Sequence, residues 1–184
     1  METLRDYVRI YKFDIDICKE IVQKYSESPD WHLHKYSDPI TGEAASSEDR
    51  ELENLKMEES DIYTQLLKNY SILSVIKYHQ DLNFSADVHT ITEPRLNKYK
   101  TGTIMRPHCD HIRSLFDGER KGIPVLSVLG ALNNDYQGGE FILNGNIQPL
   151  KAGEIIVFPS NFMYPHEVKE VTEGTRYSVI SWAY

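Results

Sequence analysis

The sequence predicts a mostly β protein, a sandwich or barrel of about eight strands with two supporting α-helices on its N-terminal side. After about Phe84, short segments rich in β-branched and aromatic residues alternate with Gly, Pro and Asn turns. Before that point, two longer segments carry apolar residues at the helical period. Because the 184 residues contain no linker or internal repeat, we expect a single domain, with helical support in 1–84 and the β core in 85–184.

The N-terminal segment is expected to contain an edge strand and the first helix. Met1–Lys12 carries β-forming side chains in an untidy alternation, which favours a short edge strand. Asp14 or Asp16 can cap the helix that follows, and Ser28-Pro29-Asp30 ends it.

The second helix is predicted to follow Ser60 and to run to about Gln80. Such a helix needs a flat surface to cover, and the strands that follow provide one. Its apolar stripe, which we expect to pack on those strands, includes Ile62, Leu66, Leu73 and Ile76, and the face is widened by Tyr63, Leu67 and Tyr70.

The segment between the helices is the least regular part of the chain. Trp31–Tyr36 is predicted to be a short strand in which His32 and His34 share one face. No carboxylate nearby completes a metal triad, so two ordinary strand histidines are favoured over a metal site. From Glu43 to Asp61 acidic residues far outnumber basic ones, which favours a solvated loop or exposed helix; a mobile flap over a pocket is the alternative.

The remaining half of the chain is predicted to be short strands bounded by turns. Asp135–Gly139 is one of these turns. The expected strands are Val88–Ile91, Arg95–Lys100, Ile104–His108, Pro124–Asn133, Glu140–Leu143, Ile147–Leu150, Glu154–Phe158, His166–Val168 and Arg176–Trp182.

Composition and charge narrow the classes of function. The formal net charge of −8 argues against nucleic acid as a partner, since binding phosphate backbones needs clustered Lys and Arg. No apolar run reaches the roughly 18 residues of a membrane span, and charges occupy the start of the chain, where a signal peptide would be apolar. Two cysteines cannot form a disulfide framework, so we expect a cytoplasmic protein. The acidic charge balance favours a peptide or a small molecule as its partner.

The segment Arg106–Asp110 carries the strongest functional signal. His108 and Asp110 are two positions apart, so their side chains leave the same face of an extended backbone. An imidazole and a carboxylate are two ligands of the 2-His-1-carboxylate triad, and His166 is a candidate for the third. The pattern therefore predicts a non-haem iron oxygenase site.

Arg176 follows on the last predicted strand. A guanidinium at the inner end of a strand is costly unless it meets a carboxylate, which a dicarboxylate cosubstrate would supply. Ser178 shares its face and could bond the same anion. The alternative is a surface arginine on an edge strand.

Two further predicted strands could line a pocket. Arg95, Asn97 and Tyr99 share one face, and a polar-lined pocket is favoured there over a solvated face. In the buried segment Val125–Asn133, small residues including Ser127 leave room either for a cosubstrate or only for bulky neighbours.

Together these residues resemble the prolyl 4-hydroxylase class of the Fe(II)/2-oxoglutarate-dependent dioxygenases. The likeness covers about Arg95 to Trp182, and it is strongest to the hypoxia-factor-type enzymes and their microbial and viral relatives. It is carried by Tyr99, His108-Cys109-Asp110, Leu132-Asn133 with Gly138-Gly139-Glu140, Lys151–Glu154 with Phe158-Pro159, and Pro165-His166-Glu167-Val168 with Thr175-Arg176-Tyr177.

The resemblance implies a double-stranded β-helix core, which is a jelly roll, with the N-terminal helices packed on one sheet. It implies Fe(II) as the metal, 2-oxoglutarate and O2 as cosubstrates, and ascorbate as a candidate reductant. The implied metal ligands are His108, Asp110 and His166. The implied 2-oxoglutarate residues are Arg176, Tyr99, Ser178 and Ser127, and the pocket-lining candidates are Arg95, Asn97, Phe141 and Trp182.

The implied reaction hydroxylates a prolyl residue in a peptide or protein while 2-oxoglutarate is decarboxylated to succinate and CO2. The chain departs from the pattern at Ala131, where hypoxia-type enzymes carry tyrosine, at Ser127, where threonine is common, and at Phe141. These departures affect the shape of the pocket and leave the metal triad intact.

Two alternatives stay open. The same chemistry could act on a free amino acid or another small molecule, in a sealed cavity instead of a groove closed by a flap. A jelly-roll binding module without catalysis would bind no metal and turn over no cosubstrate.

Overall fold

The structure, a computed structural model, describes residues 3–37, 44–46, 50–83, 87–110 and 123–184. The described elements are a 3-10 turn at Leu4–Tyr7, two helices and fourteen strands. In chain order they are β1 Arg9–Lys12, α1 Ile15–Tyr25, β2 His32–Leu33, β3 Lys35–Ser37, β4 Ala44–Ser46, β5 Glu53–Lys56, α2 Ile62–Leu82, β6 Arg95–Lys100, β7 Met105–His108, β8 Leu126–Ala131, β9 Tyr136–Gly138, β10 Phe141–Leu143, β11 Asn146–Gln148, β12 Glu154–Pro159, β13 His166–Val168 and β14 Val171–Ala183.

Helix α1 begins where the capping pattern predicts. The carboxylate of Asp14 accepts a hydrogen bond of 2.8 Å from the backbone N–H of Asp16, which satisfies one of the open donors of the first turn. The helix buries Cys18 and Ile21 and exposes its charged side, so α1 is an amphipathic helix packed on the β core.

Helix α2 packs with one side of its predicted apolar stripe: Leu67 is buried and Tyr63 and Tyr70 pack against the core, whereas the other side of the stripe faces solvent. Ile62, Leu73 and Ile76 are 58%, 59% and 48% exposed. The buried face carries three small polar residues among larger ones, which lets the helix backbone approach the sheet closely. Its members are Thr64, Leu67, Ser71, Ser74, Val75 and Tyr78.

Asp61, and not Ser60, caps this helix through its carboxylate. No helix in the described part of the chain is long and apolar enough to cross a membrane.

Two antiparallel sheets form the β core. In the described residues the large sheet has the order β1-β12-β8-β14-β6-β5-β2, with β9 paired to the first half of β14. The small sheet has the order β11-β10-β13-β7. The mostly β class with two supporting helices is confirmed.

Each face of the large sheet is covered. The helices cover one face, where Ile21 and Leu67 pack with Leu96 of β6. The other face carries Tyr99 and Leu129, which form a second apolar cluster with residues of the small sheet. Because side chains alternate along a strand, Leu96 enters the helix-side core while Asn97 and Tyr99 point the other way.

Several predicted elements differ, among them Trp31–Tyr36, which is split between β2 and β3. Val88–Ile91 forms only one isolated bridge, between Ile91 and Ala183. Tyr136–Gly138, predicted as a turn, pairs with β14, so that β14 begins at Val171 instead of Arg176. The acidic segment holds β5, which hydrogen-bonds to the edge of β6, while residues 43 and 47–49 of the proposed flap lie outside the described residues.

Candidate metal centre

The small sheet brings two histidines side by side. His108 ends β7, His166 begins β13, and the two residues are paired across the antiparallel ladder. Their ring centroids lie 4.3 Å apart. Phe141 and Phe158 pack against His166, with centroid separations of 5.7 and 5.2 Å, and so fix the position of its ring.

Asp110 completes the cluster two residues beyond His108. Its two carboxylate oxygens lie 3.7 Å from Nε2 of His108 and 3.7 Å from Nε2 of His166. One ligand atom from each of the three residues fits within 4.8 Å of the others. Within the described residues, His108, Asp110 and His166 form the one cluster of three His, Cys, Asp or Glu side chains that could hold a metal ion.

Backbone carbonyls set the ring tautomers. Nδ1 of His108 lies 2.8 Å from the carbonyl oxygen of Arg106, and Nδ1 of His166 lies 3.1 Å from that of Tyr164. A carbonyl oxygen only accepts, so each Nδ1 carries the hydrogen and each Nε2 presents a lone pair to the cluster. Two neutral imidazoles and a carboxylate are the donor set that suits Fe(II).

The electrostatics of the cluster favour ligation. Burial and the neighbouring His166 lower the pKa of His108, which keeps the imidazole neutral. Burial alone would raise the pKa of Asp110, but His166 and the hydrogen bond from Ser127 outweigh it, and the pKa lies below its ordinary value. Asp110 therefore keeps its negative charge at neutral pH, and His108 is held as a neutral nitrogen donor.

Arg176 lies on β14, on the sheet opposite the histidines. It is 2% exposed, its Nη1 donates to Oγ of Ser178 at 3.2 Å, and its Cζ lies 4.9 Å from the centroid of the Tyr99 ring. In the described part of the chain no carboxylate pairs with Arg176. A buried guanidinium without a carboxylate partner is costly, so a bound anion would stabilise it.

Tyr99 and Ser178 lie beside Arg176, and we call these three side chains the polar floor of the interior. Tyr99 and Ser178 are almost fully buried, and the Tyr99 ring lies against the Arg176 guanidinium, which donates to Ser178. Burial raises the pKa of Tyr99, so the phenol stays protonated and able to donate. Asn97 pairs with Ser178 across the strands, and its buried Oδ1 accepts no hydrogen bond from the described residues.

In the Gly138-Gly139 pair, the second glycine lies against Arg176. Gly139 has φ +63°, and a Cβ there would lie 3.1 Å from Cδ of Arg176 and 2.9 Å from Cγ2 of Val171. The second glycine therefore makes room for the arginine stem, which explains its place in the motif.

The other predicted pocket residues surround Asp110. Ser127 donates a hydrogen bond of 2.6 Å to Oδ2 of Asp110, and the side chain of Trp182 bonds the same carboxylate. The Arg95 guanidinium stacks on Trp182, with Cζ 5.0 Å from the ring centroid. This contact places Arg95 on the Asp110 side of the metal centre.

Two residues at the site were not predicted from the sequence. Burial, together with the charges of Arg95 and His108, lowers the pKa of His34 to about 4, and the Asn54 amide donates to its Nδ1 at 3.1 Å. Ser160 lies behind Ser127, with the two Oγ atoms 2.5 Å apart. Only the strand register could have found them, because neither position carries a local sequence signal.

Comparison with known proteins agrees with this geometry. The family described as the 2OG-Fe(II) oxygenase superfamily matches residues 94–184. A PKHD-type hydroxylase of Idiomarina loihiensis is 30% identical over 111 residues, covering 55% of this chain and 49% of that protein. Prolyl 3-hydroxylase 2 of Homo sapiens is 41% identical over 64 residues, covering 30% of this chain and 9% of that protein.

The chain spans about half the length of the PKHD-type relatives it matches, 49% and 44% for two of them. Among solved structures, a prolyl-4-hydroxylase of Pseudomonas putida superposes with a TM-score of 0.71 at 17% identity, covering 98% of this chain and 95% of that one. A prolyl hydroxylase of Trichoplax adhaerens in complex with a hypoxia inducible factor peptide fragment gives 0.71 at 18% identity, covering 97% and 84%. These likenesses confirm the predicted jelly-roll core.

Proposed function

We propose a hydroxylase function for this chain, which belongs to the 2OG-Fe(II) oxygenase superfamily: it hydroxylates a prolyl residue in a peptide or protein and converts 2-oxoglutarate and O2 to succinate and CO2. The observation that carries the proposal is the buried Arg176 guanidinium, which faces the same interior as the triad and has no carboxylate partner in the described residues. In this proposal a metal ion satisfies the triad and an anion satisfies the guanidinium of Arg176.

The triad residues hold the metal. His108 and His166 present Nε2 because their Nδ1 hydrogens are bonded to backbone carbonyls, and Asp110 supplies the negative charge. When bound, Fe(II) supplies the redox chemistry that couples decarboxylation of 2-oxoglutarate to insertion of one oxygen atom of O2 into a C–H bond of the substrate. The three side chains would hold the ion and leave room at it for the cosubstrates.

The polar floor binds 2-oxoglutarate. Arg176 pairs with the carboxylate remote from the metal, and the hydroxyls of Ser178 and Tyr99 donate to the same group. Phe141, Phe158 and Ile180 are buried around this interior, so they exclude water from the bound anion. In such an environment a charge-assisted contact is far stronger than in water.

The prolyl substrate is supported by the relatives. The human relative is named for prolyl 3-hydroxylation, and the Trichoplax neighbour is a prolyl hydroxylase bound to a peptide. The chain's acidic balance of 28 Asp and Glu against 20 Lys and Arg favours a peptide without excess negative charge.

The proposal is tested by incubating the protein with Fe(II), ascorbate and 2-oxoglutarate and a panel of proline-containing peptides, with mass spectrometry as the readout. We expect a peptide to gain the mass of one oxygen atom, located on proline by fragmentation. Matched peptides with alanine in place of proline should gain nothing. Hydroxylation of free proline, with no peptide modified, would contradict the peptide substrate and leave the reaction class standing.

A further inference from the structure

A pair of buried hydroxyl groups lies behind the carboxylate of Asp110. Oγ of Ser127 is 2.6 Å from Oδ2 of Asp110 and 2.5 Å from Oγ of Ser160. A carboxylate only accepts, so Ser127 gives its hydrogen to Asp110 and Ser160 must donate to Ser127. The hydrogen bonds therefore run in one direction, from Ser160 through Ser127 to Asp110.

The two serines are shielded from solvent. Ser127 is 0% exposed and Ser160 is 2% exposed, so bulk water does not compete for either hydrogen bond. A hydroxyl in such a place is costly unless it is bonded, and here each hydroxyl satisfies the next.

Strands of the large sheet fix these hydroxyls. Ser127 in β8 is paired with Phe158 of β12 on one side and with Trp182 of β14 on the other. Ser160 follows β12, and its backbone N–H donates to the carbonyl of Val125 at 2.9 Å. Asp110 lies two residues beyond the end of β7, outside any strand. The hydrogen bond from Ser127 therefore attaches this carboxylate to the large sheet.

We propose that Ser127 and Ser160 are positioning residues that keep Oδ2 of Asp110 in a hydrogen bond, so that Asp110 binds the metal through one oxygen only. A carboxylate that turned to bind with both oxygens would take a position that the cosubstrates need. The side chain of Trp182 holds the carboxylate from a second direction. This inference rests on the metal centre of the proposed function, because it assigns a role at that centre.

The test uses Mn(II), a redox-stable probe for a nitrogen and oxygen site, and the purified full chain. Magnetic resonance in isotopically labelled water counts the exchangeable water molecules on bound Mn(II), and a titration gives its affinity. We expect Ser127→Ala to show one exchangeable water fewer than the wild type and an affinity reduced by about 10- to 100-fold, the usual effect of losing a partner of a metal ligand. Ser127→Thr, which keeps the hydroxyl, should restore both values.

Two further variants distinguish a specific effect on Asp110 from a general loss of structure. Ser160→Ala leaves Ser127 in place and removes its donor, so it should change the affinity in the same direction and by less. Ser181→Ala is the matched control: Ser181 is also 0% exposed and its Oγ has no hydrogen-bond partner in the described residues, so Mn(II) binding should stay at the wild-type value.

The outcomes separate this inference from the function it rests on. A Ser127→Ala protein with the wild-type water count and affinity would overturn the positioning role while leaving the metal centre intact. A wild-type chain that binds no Mn(II) would overturn both.

Discussion

Arg176 and Tyr99 are paired across β14 and β6, and the guanidinium carbon of Arg176 lies 4.9 Å from the centre of the Tyr99 ring. The stacking fixes the plane of the guanidinium and leaves its edge for an anion. Because both residues lie on the sheet opposite the two histidines, the same interior contains the proposed anion site and the metal triad.

Replacing Arg176 should separate the two sites. Arg176→Ala is expected to weaken 2-oxoglutarate binding to the Mn(II)-loaded protein by about 2–5 kcal/mol, because a buried charge-assisted contact is lost. The Mn(II) affinity should change little. Isothermal titration of both ligands measures this, with Arg176→Lys as the variant that keeps the charge without the planar fork. Equal 2-oxoglutarate affinity in the alanine variant would refute the anchor.

Replacing Asp110 should remove the metal and keep the fold. Asp110→Ala deletes one of three ligands at the open end of a packed sandwich, so Mn(II) affinity should fall by more than about 100-fold. The circular dichroism spectrum should remain that of the wild type. If Asp110→Ala still binds Mn(II) with wild-type affinity, the ligand assignment is wrong.

Gly139→Ala should act through Arg176. The new Cβ would meet Cδ of Arg176 at 3.1 Å, at a backbone φ of +63° that alanine rarely adopts. We expect a loss of about 1–3 kcal/mol in the free energy of unfolding and a weaker 2-oxoglutarate affinity. Gly145→Ala is the control, since its φ is +70° and nothing lies within 4 Å of its Cβ position. It should cost stability and leave 2-oxoglutarate binding unchanged; the same binding loss in both variants would contradict the role given to Gly139.

His34 should make stability depend on pH. Its pKa is lowered from 6.5 to about 4 in the folded protein, chiefly by burial, so below pH 6.5 the unfolded chain takes up the proton first. The free energy of unfolding should therefore fall as pH drops from 6.5 towards 4. At pH 5 this residue accounts for about 2 kcal/mol of the loss. Urea titrations at pH 7 and pH 5 should show a smaller loss in His34→Gln than in the wild type, whereas identical losses would rule out a buried neutral His34.

Much of the fold could be predicted because strands and turns carry local signals. The alternation along Arg95–Lys100 correctly separates Leu96 from Tyr99, and Asp14 caps α1 as expected. Helix α2 could be oriented only in part, since Leu67 of its predicted apolar face is buried while Leu73 and Ile76 are exposed. Small residues such as Ser71 and Ser74 face the sheet in their place, which apolar patterning does not indicate.

The site residues also divide into those that carry a local sequence signal and those that do not. Histidines and an acid at family spacing predict the triad that the structure brings together, because ligands on strands follow the two-residue period. His34 and Ser160 could not be predicted, since their proximity to the site depends on which strands are neighbours. Glu53–Lys56 lacks alternation, and it becomes a strand because the edge of β6 offers unpaired hydrogen-bonding groups.

The most direct test of the account is to supply isotopically labelled O2 to the wild-type chain with Fe(II), ascorbate and 2-oxoglutarate, and to determine the label in succinate by mass spectrometry. The account predicts succinate that carries one oxygen atom from O2, formed by the wild type and absent with Asp110→Ala. Succinate without the label, or equal amounts from both proteins, would contradict it.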